Sequence, residues 1–260
     1  MTARRLLIAT CVLVFGTVAT AGPMMFTGDP LGDFVGTWRF DVWMIGSTIE
    51  NGRLYFEIRT NYPQAGVYAS DSYADHMHIS PGDVVIAVGA SSPFDPGATL
   101  HAIPTTDHDN CVPQAYPGET WMSAKRGELY TNVTMADGTY EAYQAKLIGL
   151  GIPYAPDDMD GNHFRNSYPT FAKTGTEVLG VAELYYQSST PPEPWKYEIT
   201  GSVPLSAIGL DTGMEYAIFW ATECGNDGAV HTDTTDALPE PATGTLVLLS
   251  LIAARKRRRR

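Results

Sequence analysis

Apolar and polar residues alternate along much of the middle of the chain. In RLYFEIRTN the apolar Leu54, Phe56 and Ile58 occupy every second position, a pattern typical of a strand with one buried face. Further strands are predicted in DVVIAVGA from Asp83, TEVLGVAELYYQS from Thr176, WKYEITGSVPL from Trp195 and EYAIFWATE from Glu215. A period of two, repeated in this way, predicts a structure built mainly from β-strands.

Short turn sequences separate these runs. They are Asn51-Gly52, Pro81-Gly82, Asp95-Pro96-Gly97, Asp137-Gly138, Asp160-Gly161 and Thr212-Gly213. Only residues 139–150 have the spacing of a short helix. Many strands at short spacing with almost no helix predict an all-β fold, a single antiparallel β-sandwich or jelly roll spanning residues 22–238.

The amino terminus has the layout of a secretory signal peptide. Arg4 and Arg5 precede an apolar run that ends at Ala19, and small residues lead to Ala21. We expect residues 1–21 to be removed during export. The alternative, a retained membrane anchor, is disfavoured because Gly22 and Pro23 follow the run directly.

The carboxyl terminus, residues 239–260, has three parts in order: Pro-Glu-Pro, an apolar run and a basic end. The uncharged residues 242–254, as a helix, extend roughly 20 Å against the ~30 Å hydrocarbon core, a short membrane span. The basic end is expected to stay on the cytoplasmic side. The two prolines keep the tripeptide extended and accessible.

This order of parts resembles the PEP-CTERM sorting signal of exported bacterial proteins. The resemblance implies recognition by a membrane-embedded exosortase, removal of the tail, and delivery to the cell surface or the exopolysaccharide matrix. Contact with the membrane would be transient, through the apolar helix. An ordinary tail-anchored helix is the alternative. The residues that carry the resemblance are Pro239, Glu240, Pro241, Arg255, Lys256, Arg257, Arg258, Arg259 and Arg260.

Charge narrows the range of partners. The full chain has 17 Lys and Arg against 29 Asp and Glu. Residues 22–238 lack two basic residues of the signal, six of the tail and the acidic Glu240, which leaves 9 against 28, a net charge of about −19. Such a surface disfavours nucleic acid and anionic membrane as partners, and it favours solubility and divalent cations.

Two cysteines remain after the predicted cleavage, because Cys11 lies in the signal. Cys111 and Cys224 are an even pair in an oxidising compartment, which predicts a disulfide. Two free thiols are the alternative. A bond between them would stabilise the fold by about 4 to 5 kcal/mol in the chain-entropy model.

Two long segments resemble secreted jelly-roll domains related to family 9 carbohydrate-binding modules. DVWMIGSTIENGRLYFEIRTNYP, residues 41–63, is similar to their opening strands, and WKYEITGSVPLSAIGLDTGMEYAIFWATECGND, residues 195–227, to their closing strands. The resemblance implies a jelly roll with a role in carbohydrate binding. It transfers no individual sugar-binding residue.

The segment APDDMDGNHF suggests a calcium site as one hypothesis. Asp158, Asp160 and Asn162 stand at alternate positions, so three oxygen-bearing side chains can face one cation. The spacing of glycine and glutamate in an EF-hand loop is missing, and a plain acidic turn explains the same residues. Calcium is therefore a candidate cofactor.

Aromatic residues around the loop Pro191-Pro192-Glu193-Pro194 suggest a sugar-binding surface, since flat rings stack on sugar rings while their polar edges stay hydrated. The candidates are Tyr185, Tyr186, Trp195 and Tyr197. Filling of the sandwich core is the alternative for these rings. For Trp43, Phe56 and Trp220 we expect a place in the core.

No catalytic motif is recognisable in the sequence. We therefore expect an exported, non-catalytic protein of the cell surface or exopolysaccharide matrix, with exosortase as processing partner and exopolysaccharide as candidate ligand. The alternative is a secreted polysaccharide-active hydrolase or lyase on the same β-sandwich scaffold, since a fold does not define a function.

Overall fold

A computed structural model of the chain describes residues 23–29, 38–68, 78–91, 95, 97–107, 121–135, 171–222 and 228–235. All of them lie within one compact unit, Ala21–Leu238. The described strands are β1 (Met25–Gly28), β2 (Val42–Glu50), β3 (Arg53–Thr60), β4 (Val67–Tyr68), β5 (His78–Ile79), β6 (Val84–Val88), β7 (Thr99–Ile103), β8 (Leu129–Met135), β9 (Ala172–Val178), β10 (Glu183–Ser188), β11 (Tyr197–Pro204), β12 (Glu215–Ala221) and β13 (Gly228–Thr234). A 3-10 turn, Trp38–Phe40, and a one-turn helix, α1 (Leu205–Ile208), complete the described elements.

The first sheet has five antiparallel strands in the order β1-β2-β3-β11-β10. Strands β2 and β3 form a hairpin at the predicted turn, where Asn51 and Gly52 have φ of 50° and 74°. Asn-Gly suits this turn because both central residues need positive φ. Strand β11, far along the chain, pairs with β3 over eight residues, and this pairing brings distant segments to one end of the sheet.

The second sheet has six antiparallel strands in the order β13-β12-β6-β7-β8-β9. Strands β6, β7 and β8 follow one another, and β12 returns from a distant part of the chain to lie beside β6. Strand β9 continues the series beside β8, so β6 to β9 lie side by side in chain order. The short strands β4 and β5 pair separately with each other. The predicted all-β class with antiparallel sheets is confirmed for the residues that the structure describes.

The apolar faces of the two sheets share one core. The predicted alternation in β3 is confirmed, since Leu54, Phe56 and Ile58 are buried while their neighbours along the strand are partly exposed. From the second sheet, Ile86 and Trp220 belong to the same cluster. The indole N–H of Trp220 donates to the carbonyl of Gly82 at 3.0 Å, so its polar atom is satisfied inside the core.

Strands β6 and β12 are buried on both of their faces. All five residues of β6 are buried, and so are the last six of β12. Val85, Phe219 and Ala221 form an apolar cluster separate from the core between the sheets. Continuous apolar runs such as VVIAV and YAIFWA are the sequence signature of such strands.

The run from Thr176 to Ser188 forms parts of two strands in different sheets. Strand β9 ends at Val178, Gly180 has φ of 67°, and β10 begins at Glu183. The chain passes here from the second sheet to the first. Glycine favours this break because it adopts positive φ without the steric cost of a Cβ.

The expected core position of Trp43 is wrong, although that of Phe56 and Trp220 is confirmed. Trp43 is half-buried and lies outside the core cluster, with its ring edge-on to Trp195 at a centroid distance of 6.4 Å. An irregularity in the pairing of β2 with β3 falls between Val42 and Met44 and disturbs the alternation there.

Several predictions concern residues outside the described ranges. They include the signal peptide, the helix at 139–150 and the carboxyl-terminal sorting segment. Among the described residues, no helix has the length and apolar character needed to cross a bilayer.

Candidate functional site

A groove of about 740 Å³ opens at one end of the five-stranded sheet. Three segments form it: the 3-10 turn before β2, the stretch from the end of β3 to β4, and the connection between β10 and β11. The described lining residues are Trp38, Arg39, Asn61, Pro63, Gly66, Val67, Tyr68, Ser188, Ser189, Pro191, Glu193, Trp195, Lys196 and Tyr197. Its volume falls within the range of small-molecule and cofactor sites in proteins.

Backbone hydrogen bonds hold two of these segments to the end of β3. The N–H of Lys196 donates to the carbonyl of Thr60 at 3.2 Å, and the N–H of Asn61 donates to the carbonyl of Asp41 at 2.8 Å. The N–H of Ser189 donates to the carbonyl of Lys196 at 2.9 Å, so the β10–β11 connection closes on itself. The groove is therefore anchored to the sheet at its base.

Two exposed aromatic side chains belong to the lining. Trp38 is 52% exposed and Tyr68 is 86% exposed. Large apolar rings are usually withdrawn from water, so two exposed rings on one groove are a feature that a ligand would explain. Tyr197 is half-buried in the same lining and packs edge-on against Tyr186, with ring centroids 6.2 Å apart.

Trp195 lies deeper and is held from several sides. Its indole N–H donates to Oε1 of Glu198 at 3.0 Å. The guanidinium of Arg59 lies 4.3 Å from its ring centroid and also 4.3 Å from that of Phe26, so the cation contacts both rings. Nε of Arg59 donates to Oε1 of Glu57 at 2.5 Å. These contacts fix the orientation of Trp195 in the wall of the groove.

Asn61 belongs to the lining of the groove, and one of its polar atoms is buried without a hydrogen-bond partner among the described residues. The residue is 6% exposed, and its Nδ2 is 3.5 Å from Oδ2 of Asp41. Its Oδ1 is buried and has no hydrogen-bond partner within the described part of the chain. An unpaired buried acceptor costs about 1 to 3 kcal/mol, so a donor supplied by a ligand or by water would relieve that cost.

The net charge of the described lining residues is opposite in sign to that of the whole chain. Arg39 and Lys196 are exposed basic residues, and Glu193 is an exposed acidic one. Within the described lining the basic residues therefore outnumber the acidic ones, although the whole chain carries a net charge of −12.

The structure separates the four aromatic residues predicted to stack on sugars. Trp195 and Tyr197 line the groove. Tyr186 is 7% exposed, and its hydroxyl donates to the carbonyl of Tyr62 at 2.6 Å, which places it in the core. Burial raises the pKa of Tyr186 well above its usual value. Tyr185 is 59% exposed and is not part of the lining.

Trp38 and Tyr68 were missed by the sequence reasoning. They are thirty positions apart, and the loop that carries Trp195 lies more than a hundred positions further along. The pairing of β3 with β11 brings these segments together, and no local pattern in the sequence predicts that pairing. An isolated Trp in GTWRF and an isolated Tyr in GVYAS carry no signal of their own.

The remaining candidate residues lie outside the described ranges. They are Asp158, Asp160 and Asn162 of the calcium hypothesis, Cys111 and Cys224 of the disulfide, and all residues of the sorting signal. Among the residues that the structure does describe, no group of three or more His, Cys, Asp or Glu side chains is placed to hold a metal ion.

Comparisons with known proteins identify no relative. No protein-family model, no curated protein and no solved structure matches the chain.

Proposed function

We propose that the protein is a non-catalytic glycan-binding protein and that the groove beside Trp38 and Tyr68 is its binding site. The observation that supports this most directly is the exposure of these two rings on a groove that also presents polar side chains. Flat rings cover the apolar face of a sugar, and polar groups around them pair with its hydroxyls. Trp195 and Tyr197 extend the aromatic lining inward.

We further propose that the protein is exported and sorted by an exosortase to the cell surface or exopolysaccharide matrix. The order of the signal-like amino terminus, the Pro239-Glu240-Pro241 tripeptide, the apolar run and the basic end supports this. A glycan-binding domain suits such a location because the matrix supplies its ligand.

Sorting is tested by replacing the tripeptide with three alanines in the producing cell. Fractionation and immunoblotting should show an unprocessed precursor in the membrane fraction, whereas the wild-type protein is found at the surface or in the matrix. The same replacement of Pro191-Pro192-Glu193 is a matched control that should leave processing unchanged. Normal release of the tripeptide variant would exclude sorting through Pro239-Glu240-Pro241.

Glycan binding is tested by affinity electrophoresis through gels that contain the host's exopolysaccharide. Trp38→Ala and Tyr68→Ala should each reduce the retardation seen with the wild type, because each removes a stacking surface. Tyr185→Ala is the matched comparison, since it removes an exposed ring that lies outside the groove. If Tyr185→Ala alone reduces retardation, the binding surface is the outer face of the sheet and the groove assignment is wrong.

Calcium stays a prediction that the same gels address. Retardation that a chelator abolishes and added calcium restores would make binding calcium-dependent and would direct attention to Asp158, Asp160 and Asn162. Retardation that is unchanged by the chelator would separate glycan binding from any calcium site.

The alternative function, a polysaccharide-active enzyme, would require catalytic carboxyl groups at this groove. Hydrolysis of a glycosidic bond usually needs two carboxyl groups facing the bond, and Glu193 is the one carboxylate among the described lining residues. If the protein only binds glycans, Glu193→Gln should not weaken the binding of exopolysaccharide. Release of reducing ends by the wild type and its loss in Glu193→Gln would favour the enzyme.

The finer fold assignment also stays a prediction. Two antiparallel sheets sharing one core are compatible with the jelly-roll domains related to family 9 carbohydrate-binding modules, which segments 41–63 and 195–227 resemble. In the structure these segments form β2, β3, β11 and β12. Two pairings between distant parts of the chain involve them: β11 pairs with β3 in the first sheet, and β12 pairs with β6 in the second.

A further inference from the structure

The charge of the groove points to a class of glycan. The chain has 29 Asp and Glu against 17 Lys and Arg, yet the described lining of the groove carries two basic residues, Arg39 and Lys196, and one acidic residue, Glu193. A strongly acidic protein repels polyanions in general. The protein as a whole therefore does not attract anions. An anionic ligand would instead be bound locally, by the basic residues of the groove.

We propose that the groove binds an acidic polysaccharide and that Arg39 and Lys196 pair with the carboxylates of its uronic acid residues. This inference rests on the proposed glycan-binding function and adds the class of ligand. Trp38 and Tyr68 bind the apolar faces of the sugar rings, and the two cations distinguish charged from neutral polymers.

Lys196 is available for this role. Its side chain is exposed and forms no ion pair with any described residue, while its backbone N–H is fixed to Thr60 at the end of β3. The sheet therefore holds the backbone of Lys196 at the groove, and no described carboxylate forms an ion pair with its ammonium group. Arg39 follows the exposed Trp38 directly in the chain, so a cation accompanies a stacking ring. A guanidinium can pair with a carboxylate through two parallel hydrogen bonds.

Polar side chains of the lining suit the hydroxyl groups of a sugar. Asn61, Ser188 and Ser189 belong to the described lining beside the two basic residues, and amide and hydroxyl groups both donate and accept hydrogen bonds. The combination of basic groups, neutral polar groups and exposed rings matches an acidic sugar, which carries carboxylate, hydroxyl and apolar ring face together.

The test uses protein produced from the full-length chain and two forms of one polymer. Polygalacturonate is the acidic probe, and the same polymer with its carboxyl groups reduced to alcohols is the neutral probe. We expect binding at least ten-fold tighter to the acidic form at 50 mM salt, and a smaller difference at 0.5 M salt because exposed charges are screened. Equal affinity for the two forms would overturn the inference.

Variants assign the effect to the groove. Arg39→Gln and Lys196→Gln should each weaken binding of the acidic polymer about three- to five-fold, as expected for exposed ion pairs, and leave the neutral polymer unchanged. Glu193→Gln should strengthen acidic binding, because it removes a like charge. Lys125→Gln, at an exposed lysine outside the described lining, should change nothing. Weakening by Lys125→Gln equal to that by Lys196→Gln would overturn the inference.

Failure of this inference is distinguishable from failure of the proposed function. If Trp38→Ala weakens both polymer forms equally while Arg39→Gln and Lys196→Gln change neither, the groove binds glycans without regard to charge and the inference is wrong. If Trp38→Ala and Tyr68→Ala leave both affinities unchanged, glycan binding at the groove is itself wrong. A sulfated dextran probe distinguishes recognition of carboxylate groups from recognition of sulfate groups. If sulfated dextran binds as tightly as polygalacturonate, specific recognition of carboxylates is contradicted.

Discussion

The core between the sheets and the groove at the end of the first sheet use the same residue types in opposite ways. In the core, Trp220 is fully buried and its N–H is paired with a carbonyl, and Tyr186 donates its hydroxyl to Tyr62. At the groove, Trp38 and Tyr68 expose more than half of their surface. The core thus removes aromatic rings from water and satisfies their polar atoms, while the groove leaves rings exposed.

This difference separates residues that stabilise the fold from residues that are available to a ligand. Removing a buried ring leaves a cavity and costs stability, whereas removing an exposed ring costs little. A ring that contributes little to folding yet stands on a groove is a candidate for binding. Substitutions of core and groove residues test this division.

Trp220→Ala is expected to have the largest effect on stability. The side chain is fully buried and contacts Tyr62 edge-on with ring centroids 6.5 Å apart. Its loss should lower the free energy of unfolding by about 3 to 5 kcal/mol. Urea unfolding followed by circular dichroism measures this value. Trp220→Phe retains most of the volume and should cost less, so an equal loss in both variants would contradict a packing role.

His101 makes the core sensitive to acid. It is buried, and neither ring nitrogen has a hydrogen bond of normal geometry among the described residues, although the backbone of Ile208 lies close. Burial lowers its pKa to about 4, against the ordinary value of 6.5, while the nearby Ile208 backbone raises it slightly. Between these values the unfolded chain binds more protons, so the free energy of unfolding falls as the pH decreases from about 6.5 to about 4.

The size and origin of this acid sensitivity are measurable. The contribution of His101 to the free energy of unfolding is at most roughly 3.4 kcal/mol across that range. The free energy of unfolding is measured with urea at pH 7.5 and at pH 4.5. The difference between the two values should be smaller for His101→Leu than for the wild type. His231, whose pKa burial also lowers, adds a loss of the same sign that remains in this variant. An unchanged difference in His101→Leu would show that His101 is not its source.

Gly201 tests how closely the inner face of the first sheet is packed. An added Cβ would meet the ring of Phe56 and would lie 2.5 Å from the carbonyl oxygen of Glu183. Gly201→Ala should therefore reduce the free energy of unfolding by about 1 to 3 kcal/mol. Gly28→Ala is the matched control, since nothing lies within 4 Å of its added Cβ. Equal losses in both variants would contradict close packing at Gly201.

Substitution at the groove should affect ligand binding more than stability, whereas substitution in the core should affect stability. Trp38→Ala should change the free energy of unfolding by less than about 0.5 kcal/mol, because the ring is exposed. The same variant should weaken glycan binding about ten-fold, or roughly 1.4 kcal/mol. Urea unfolding and affinity electrophoresis measure the two effects. A large loss of stability would show that Trp38 is part of the fold's packing.

The alternation of apolar residues was enough to predict the all-β class, and it placed Leu54, Phe56 and Ile58 correctly. It could not show which strands pair, because pairing of β3 with β11 depends on contacts between distant segments. For the same reason, Trp195 and Tyr197 were found through their proximity to a proline-rich loop, whereas Trp38 and Tyr68 were missed. Tyr185 and Tyr186 are adjacent, and only the register of β10 decides which of them is buried.

The most direct test of the binding groove is an NMR titration that follows the indole N–H signals of the five tryptophans. Fragments of the host's exopolysaccharide are added to the protein, and each signal is assigned by substitution. We expect the signal of Trp38 to move with increasing ligand while that of the buried Trp220 stays in place. A titration in which no indole signal moves, or in which Trp220 responds and Trp38 does not, would contradict binding at the groove.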